Sequence, residues 1–216
     1  MATTTGTGET SPPARDHAEA IQPEDDPLRL ARHLAAEAGL SPISPTTGAA
    51  LCLLAAAASV RAAVEVGTGT GVAALWLLRG MRPDGVLTTI DFDGGYQRIA
   101  RRVFGEAGYP ASRTRTITGR ALEVLPRLAD GAYDLLLLDG DRSDYPACIA
   151  AAPRLLRQGG ILALHGVPAS GRTADPSVRD PETVMLRELA RSFRDADGWR
   201  AALLPVGEGL LCAVRI

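Results

Sequence analysis

The chain has 216 residues, enough for one domain with a substantial core. Its formal net charge is -2 and 22% of its residues are charged, so nucleic acid and anionic membranes are not expected partners. All 23 basic residues are arginine, which excludes a Schiff-base lysine, a phosphate-loop lysine and a lysine general base. The longest apolar run, residues 49–60, is too short for a membrane span, which needs about 20 residues. Cys52, Cys148 and Cys212 have no ligand-like spacing, so we expect reduced thiols in a cytoplasmic protein.

The N-terminal part is predicted to contain a tail and two helices. Residues 1–24 are expected to be a disordered tail, and residues 25–216 to form a single domain. Apolar residues at helical spacing predict a helix over residues 27–39. After a proline-rich connector, Thr46 or Thr47 is expected to cap a helix over residues 48–59.

From residue 62 onward, predicted strands and helices alternate. The strands are predicted over residues 62–66, 86–90, 114–118, 133–138 and 161–164. The helices between and after them are predicted over residues 72–79, 96–107, 121–128, 145–156 and 181–193. Two final strands, over residues 199–206 and 209–216, are joined by a tight turn at Gly207-Glu208. The expected fold is therefore α/β: a Rossmann-like, doubly wound, seven-stranded sheet, mostly parallel, with an antiparallel C-terminal hairpin strand and helices on both faces.

A glycine loop, Glu65-Val66-Gly67-Thr68-Gly69-Thr70-Gly71, ends the first predicted strand. Ligands of doubly wound sheets bind at the carboxyl ends of the strands, and glycines let the backbone turn sharply and approach a ligand closely. Asp91 closes the second strand, where its carboxylate suits a ribose diol. Glu65 suits either the loop amides or an ammonium group of the ligand. The pattern predicts a cofactor site.

A nicotinamide dinucleotide is one candidate for this site. Residues 69–74 formally fit the pattern G-x-G-x-x-A, and Asp91 lies about 20 residues further on. However, the fitted glycines begin after Gly67 has already ended the strand. The C-terminal hairpin is also foreign to the plain dinucleotide-binding fold. Both features count against an oxidoreductase that uses NAD(P).

Five segments carry a more specific pattern. They are Ile43-Ser44-Pro45, residues 63–71, residues 85–91, Gly119-Arg120-Ala121 and residues 133–141. Together they resemble the bacterial members of the catechol-O-methyltransferase-like group of S-adenosylmethionine-dependent O-methyltransferases. The resemblance covers about residues 41–216.

The resemblance implies a set of residues that bind S-adenosylmethionine. The residues expected at the methionine end and in the glycine loop are Ile43, Glu65, Gly67, Thr68, Gly69, Gly71 and Ala73. Asp91 would hold the ribose, and Phe92 and Ala121 would flank the adenine. Asp141 would contact the cofactor too. The family usually has serine where Ala73 stands, so one hydrogen bond, worth about 1 kcal/mol net, is expected to be missing.

The resemblance also implies a divalent metal, but this sequence keeps only part of the metal site. Family members hold the ion with an Asp after the fourth strand and an Asp-Asn pair after the fifth, and a nearby lysine takes the proton. Asp139 matches the first ligand, His165-Gly166 replaces the Asp-Asn pair, and Arg142 occupies the lysine position. Because hard cations need several oxygen ligands, and zinc would find only two side chains, we predict that no metal is tightly bound.

Three residues are therefore the predicted catalytic group. His165 is the candidate general base, with Asp139 placed to orient it. The alternative is that His165 only hydrogen-bonds the backbone at a strand end. Arg142 cannot act as a base, but it can orient the acceptor and stabilise a developing oxyanion. Tyr145 is expected beside the substrate, and the long segment 167–180 is predicted to act as a lid over it.

The sequence thus predicts an enzyme that transfers a methyl group from S-adenosylmethionine to a hydroxyl of a small, aromatic acceptor. Two alternatives stay open: a protein that binds S-adenosylmethionine with weak or no catalysis, and an NAD(P)-dependent oxidoreductase. The resemblance further implies a homodimer that the N-terminal helices help to pair. Nucleic acid and membranes are not predicted partners.

Overall fold

The alternating strands of the chain assemble into one mixed sheet. The computed structural model describes residues 17–168, 173–194 and 196–216. The strands lie in the order β3-β2-β1-β4-β5-β7-β6. They are β1 (Ala62–Val66), β2 (Val86–Asp91), β3 (Thr114–Thr118), β4 (Tyr133–Leu138), β5 (Leu156–His165), β6 (Trp199–Leu204) and β7 (Leu210–Arg215). Strands β1 to β5 are parallel, whereas β7 runs antiparallel to β5 and β6, which confirms the predicted fold class.

Helices cover both faces of this sheet. They are α1 (Asp26–Glu37), α2 (Pro45–Ala57), α3 (Val72–Gly80), α4 (Gly94–Glu106), α5 (Ala121–Val124), α6 (Tyr145–Leu155) and α7 (Pro181–Arg194). Leu135 and Leu137 of β4 pack with α1 to α4, whereas Leu136 and Leu138 pack with α5 to α7. Because successive strand residues point to opposite faces, one continuous apolar strand supplies both cores.

Three local predictions were wrong in their bounds or caps. Helix α2 begins at Pro45, where Ser44 rather than Thr46 or Thr47 caps it by accepting a hydrogen bond from the Thr47 amide at 3.3 Å. Proline suits this first helical position because its missing N–H would be unpaired there. The helix predicted over 121–128 ends at Val124 and continues as a 3-10 turn, since proline at 126 cannot donate the next helical bond. Strand β5 begins at residue 156 rather than 161, and its register against β4 shifts between these two positions.

The N-terminal segment packs on the domain where the structure describes it. Residues 1–16 of the predicted tail lie outside the described residues. The Glu19 carboxylate accepts hydrogen bonds from the Thr46 amide at 2.8 Å and the Thr46 hydroxyl at 2.6 Å. Glu24 forms an ion pair with Arg32 at 2.5 Å. Residues 19–24 are thus tied to helices α1 and α2.

Across the described ranges, no helix combines the length and apolar character that crossing a membrane requires. The predicted homodimer stays a prediction.

Candidate active site

A cavity of about 550 Å³ lies at the edge of the sheet where the parallel strands β1 to β4 end; we call it the first cavity. Its position is that of ligand sites in doubly wound folds. Most of the predicted cofactor residues line it, namely Gly67, Thr68, Gly69, Ala73, Asp91, Phe92, Ala121 and Asp141. Residues far apart in sequence therefore meet at one surface, as the strand pattern predicts.

The glycine loop is held in place by its own backbone and by Asp91. Gly67 has φ +98°, and a Cβ there would lie 2.5 Å from the carbonyl oxygen of Asp139, so only glycine lets β1 and β4 end this close together. Asp91 Oδ2 accepts a hydrogen bond from the Gly69 amide at 3.0 Å, and its Oδ1 accepts one from the Asp93 amide at 2.9 Å. One carboxylate thus fixes the loop against the end of β2.

Three predicted cofactor residues are not among those that line the first cavity. Ile43 is 1% exposed and belongs to the apolar core. Gly71 is the N-cap of α3 with φ +94°, and a Cβ there would lie 2.8 Å from the Phe104 ring, so packing explains this glycine. Glu65 lies buried beneath the loop. The prediction that these three bind a ligand stays a prediction.

Glu65 is a fully buried carboxyl group, and among the described residues Thr89 is its one hydrogen-bond partner. Thr89 Oγ1 donates to its Oε2 at 2.6 Å, and Thr68 Oγ1 lies 2.7 Å from the same Thr89 hydroxyl. Glu65 Oε1 has no hydrogen-bond partner within the described part of the chain. Burial raises the pKa of Glu65 well above its ordinary range, despite the Thr89 hydrogen bond, and the nearby Asp139 and Asp91 carboxylates raise it further.

Sequence reasoning missed part of the wall of the first cavity. Ser41, Pro42 and Tyr96 line it, and so does Arg120. Arg120 stands inside one of the matching segments, so that segment was a usable signal. Ser41 and Pro42 lie just before Ile43, and nothing in their own pattern marks them as ligand contacts.

A second cavity, of about 820 Å³, adjoins the first, and the two share Ser41 and residues 139–141 in their walls. The three predicted catalytic residues, Asp139, Arg142 and His165, all line it. His165 Nδ1 lies 2.6 Å from Asp139 Oδ1. His165 is 7% exposed, and its Nε2 has no partner within the described residues. The structure therefore brings together the predicted base and the carboxylate predicted to orient it.

Tyr145 also lines the second cavity, as expected. Its hydroxyl lies 2.9 Å from the carbonyl oxygens of both Leu138 and His165, where it can donate to either. Burial raises the pKa of Tyr145 far above its ordinary value, so this hydroxyl stays protonated and ties the ends of β4 and β5 together.

Arg142 is held by two acids from distant parts of the chain. Its Nη1 donates to Glu182 at 2.8 Å and its Nη2 donates to Glu208 at 3.1 Å. Burial lowers the pKa of Arg142, but these ion pairs outweigh it and raise the pKa above its ordinary value. No local sequence pattern marks Glu182, in the first turn of α7, or Glu208, in the turn between β6 and β7, as partners of Arg142.

The residues beside Asp139 do not fit a divalent metal. One Asp139 oxygen is engaged by His165, and the position after His165 is Gly166, which offers no side-chain ligand. A Cβ at Gly166 would overlap Nη2 of Arg142, so the guanidinium occupies the space of a ligand side chain. Within the described ranges, no three His, Cys, Asp or Glu side chains cluster in a way that could hold a metal ion. Hard cations need more oxygen ligands than this site offers.

Comparison with known sequences gives a consistent set of relatives. The sequence profile of a family described as O-methyltransferase matches residues 28–216. A protein from Mycobacteroides abscessus, provisionally named an O-methyltransferase, is 51% identical over 199 residues, which span 92% of this chain and 93% of that protein. A Mycobacterium tuberculosis protein, also provisionally named an O-methyltransferase, is 49% identical over 199 residues, which span 92% of this chain and 89% of its own length.

Solved structures show the same architecture. A Corynebacterium glutamicum protein is 34% identical, with a TM-score of 0.86 over 93% of this chain and 94% of that chain. An O-methyltransferase from Streptomyces achromogenes, involved in tomaymycin synthesis and solved with S-adenosylmethionine, is 26% identical, with a TM-score of 0.82 over 93% of this chain and 98% of that one. An O-methyltransferase from Bacillus cereus, solved with S-adenosylhomocysteine, is 26% identical, with a TM-score of 0.83 over 94% and 97%.

Proposed function

The chain belongs to the O-methyltransferase family, and we propose that it transfers a methyl group from S-adenosylmethionine to a hydroxyl of a small aromatic acceptor. One observation carries the proposal: the first and second cavities meet at residues 139–141, beside the pair formed by Asp139 and His165. A donor in the first cavity and an acceptor in the second would face each other across this wall. The relatives from Streptomyces and Bacillus, solved with S-adenosylmethionine and its demethylated product, support this donor.

The wall of the first cavity suits the ribose and adenine of the donor. Asp91 accepts two hydrogen bonds from backbone amides, and a carboxylate can accept about four, so lone pairs are left for a ribose diol. Phe92 is 75% exposed, which is unusual for a large apolar ring, and it lines the wall of the first cavity. A flat base stacked between Phe92 and Ala121 would cover this ring.

Bound S-adenosylmethionine supplies an electrophilic methyl group on a sulfonium. The protein then has to align the acceptor oxygen and remove its proton. With Asp139 accepting a hydrogen bond from His165 Nδ1, the Nε2 atom carries the lone pair and can accept the hydroxyl proton. The guanidinium of Arg142, on the same cavity wall, would stabilise negative charge on the acceptor oxygen.

The proposed reaction uses no divalent metal. This follows from the misfit of the residues beside Asp139, where the guanidinium of Arg142 lies in the space above Gly166. The positive charge that a metal would supply comes instead from a side chain of the protein. The chemistry of the base is likewise carried by His165 rather than by a lysine, which the sequence lacks altogether.

The test is a methylation assay with labelled S-adenosylmethionine and a panel of catechols and other phenols. Each acceptor is assayed with added magnesium and with a chelator. We expect a labelled methyl ether in both conditions, at rates within about twofold of each other. Product that forms only with magnesium would contradict the metal-free reaction, and no product from any phenol would contradict the acceptor class. Calorimetric titration should show binding of S-adenosylhomocysteine and none of NADH.

A further inference from the structure

The second cavity has an unusual balance of charge. Among the described residues that line it, the carboxylates are Asp139, Asp141, Glu182 and Glu208. The guanidinium of Arg142 is the one permanent positive charge among those described lining residues. An acceptor that enters this cavity therefore meets a negative environment.

The guanidinium of Arg142 already forms two ion pairs within its own chain. Its two terminal nitrogens donate to Glu182 at 2.8 Å and to Glu208 at 3.1 Å. A carboxylate on an acceptor would have to compete with both glutamates for Arg142. The guanidinium can still lie against the reacting oxygen of an acceptor, but the described lining residues offer no further positive charge for a separate anionic substituent.

Asp141 extends the negative wall to the place where the two cavities meet. Its Oδ1 accepts a hydrogen bond from the Ser143 amide at 2.9 Å. This backbone hydrogen bond, the Ser143 side chain and the charge of Arg120 on the first cavity's wall lower the pKa of Asp141 below its ordinary value, so the group stays ionised near neutral pH.

His165 indicates which part of an acceptor this cavity receives. Its Nε2 is buried and has no partner within the described residues. An unpaired buried polar atom costs about 1–3 kcal/mol, which a hydroxyl bound at Nε2 would recover. Among its described lining residues, the cavity therefore offers a partner for a hydroxyl donor and no unpaired permanent positive charge for an additional anion.

We propose that the acceptor is a neutral or positively charged phenol, and that phenols with a carboxylate or phosphate substituent are rejected by the four carboxylates of the second cavity. The inference rests on the proposed function, because it names the acceptor class of the same site. Glu182 and Glu208 are then specificity-determining residues, since they both add negative charge and occupy Arg142. Charges this close are only partly screened by salt.

The test compares acceptors that differ in charge but hardly in shape. One pair is 3,4-dihydroxybenzamide and 3,4-dihydroxybenzoate, and the other is dopamine and 4-(2-hydroxyethyl)catechol. We expect kcat/KM for the amide to exceed that for the carboxylate by about tenfold or more, and dopamine to equal or exceed its neutral analogue. Calorimetric titration of each acceptor into the complex with S-adenosylhomocysteine should rank the affinities in the same way. The ratio of kcat/KM for the amide to that for the carboxylate should decrease when ionic strength is raised.

Substitutions at Glu182 and Glu208 test whether these two carboxylates cause the preference for the amide over the carboxylate. Glu182→Gln and Glu208→Gln each remove one negative charge and release Arg142 in part, so each should lower the ratio of amide to carboxylate at least about threefold. Glu188→Gln is the matched control, because it makes the same change on an exposed position of α7 that does not line the cavity. That variant should keep the wild-type ratio.

The outcomes separate the inference from the proposed function. Equal kcat/KM and Kd for the amide and the carboxylate would overturn the inference while leaving a phenol methyltransferase. An unchanged ratio in both glutamine variants would also overturn it, because the discrimination would then not be electrostatic at this wall. If no catechol binds the complex or is methylated, the proposed acceptor class fails and the inference fails with it.

Discussion

The two cavities that meet at residues 139–141 are built in different ways. The first is shaped mainly by backbone features of residues 65–141, in which glycines and an acid follow the strand ends, while Ser41 and Pro42 add to its wall from the segment before α2. The second depends on side chains from the segment after β4, the end of β5, α7 and the turn between β6 and β7. A site fixed by backbone tolerates little change, whereas one fixed by distant side chains can be altered by single substitutions. The chain accordingly has the glycine loop that the resemblance implies, but His165-Gly166 where the resemblance implies an Asp-Asn pair.

The largest effect should come from breaking the backbone of the first cavity. Gly67→Ala places a Cβ against the Asp139 carbonyl at a positive φ, which we expect to cost about 2–4 kcal/mol of unfolding free energy. Thermal unfolding should show a Tm lower by roughly 5–15 °C, and binding of S-adenosylhomocysteine should be lost. Gly105→Ala is the control, because nothing lies within 4 Å of a Cβ there and alanine favours a helix. Equal Tm changes in the two variants would contradict this account of the loop.

Removing the proposed base from the second cavity should lower turnover without changing cofactor affinity. His165→Gln is expected to lower kcat at least about tenfold, because a positioned base contributes roughly 10²–10⁴. The Kd for S-adenosylhomocysteine should stay within about twofold, since the imidazole lies outside the wall of the first cavity. His33→Gln, on an exposed part of α1, should leave both quantities unchanged. Normal turnover by the His165 variant would show that His165 is not the general base. The alternative, that it only forms a hydrogen bond at the end of the strand, would then hold.

The effect of the buried Glu65 carboxyl, beneath the glycine loop, can be measured as a dependence of protein stability on pH. Burial raises its pKa above the ordinary value of 4.5, so the folded protein holds this proton at pH values where the unfolded chain has lost it. The stability that this proton gives is present in full below pH 4.5 and is lost as pH rises towards the folded pKa. In that window wild type should lose about 1.4 kcal/mol per pH unit relative to Glu65→Gln.

The measurement is Tm for both proteins without ligand from pH 5 to 8. The difference between Glu65→Gln and wild type should grow with pH, whereas exposed Glu123→Gln should run parallel to wild type. Parallel curves for the Glu65 variant would mean that this carboxyl is ionised in the folded protein.

The smallest expected effect adds the hydroxyl that the family usually has in the first cavity. Ala73 lines that cavity from the first turn of α3, so Ala73→Ser should gain a hydrogen bond worth about 1 kcal/mol. The affinity for S-adenosylmethionine should rise about fivefold by calorimetry. Ala74→Ser, at a buried neighbouring position that is not among the lining residues, should give no such gain. Equal affinity changes in the two variants would show that the family's hydroxyl has no partner in this chain.

The sequence alone determined the features that depend on local spacing. Continuous apolar runs such as that of β4 predicted a sheet buried on both faces, because alternate residues of one strand supply two cores. Gly67 and Asp91 marked the first cavity, since a turn after a strand needs glycine and the next strand end places its acid beside that turn. The predicted ends of helices and strands were less accurate, as the Ser44 cap and the start of β5 show. Capping and strand register depend on contacts with neighbouring elements.

The tertiary structure alone decided how the second cavity is held together. Arg142 was recognisable as a departure from the family, but its partners Glu182 and Glu208 are 40 and 66 residues away along the chain. Nothing local marks such partners, because the contact exists only once α7 and the β6–β7 turn pack beside β5. The same packing shows why position 166 is glycine, since the guanidinium fills the space of its side chain. Local backbone rules thus determined the position of the proposed donor site, and long-range packing determined the charge around the proposed acceptor site.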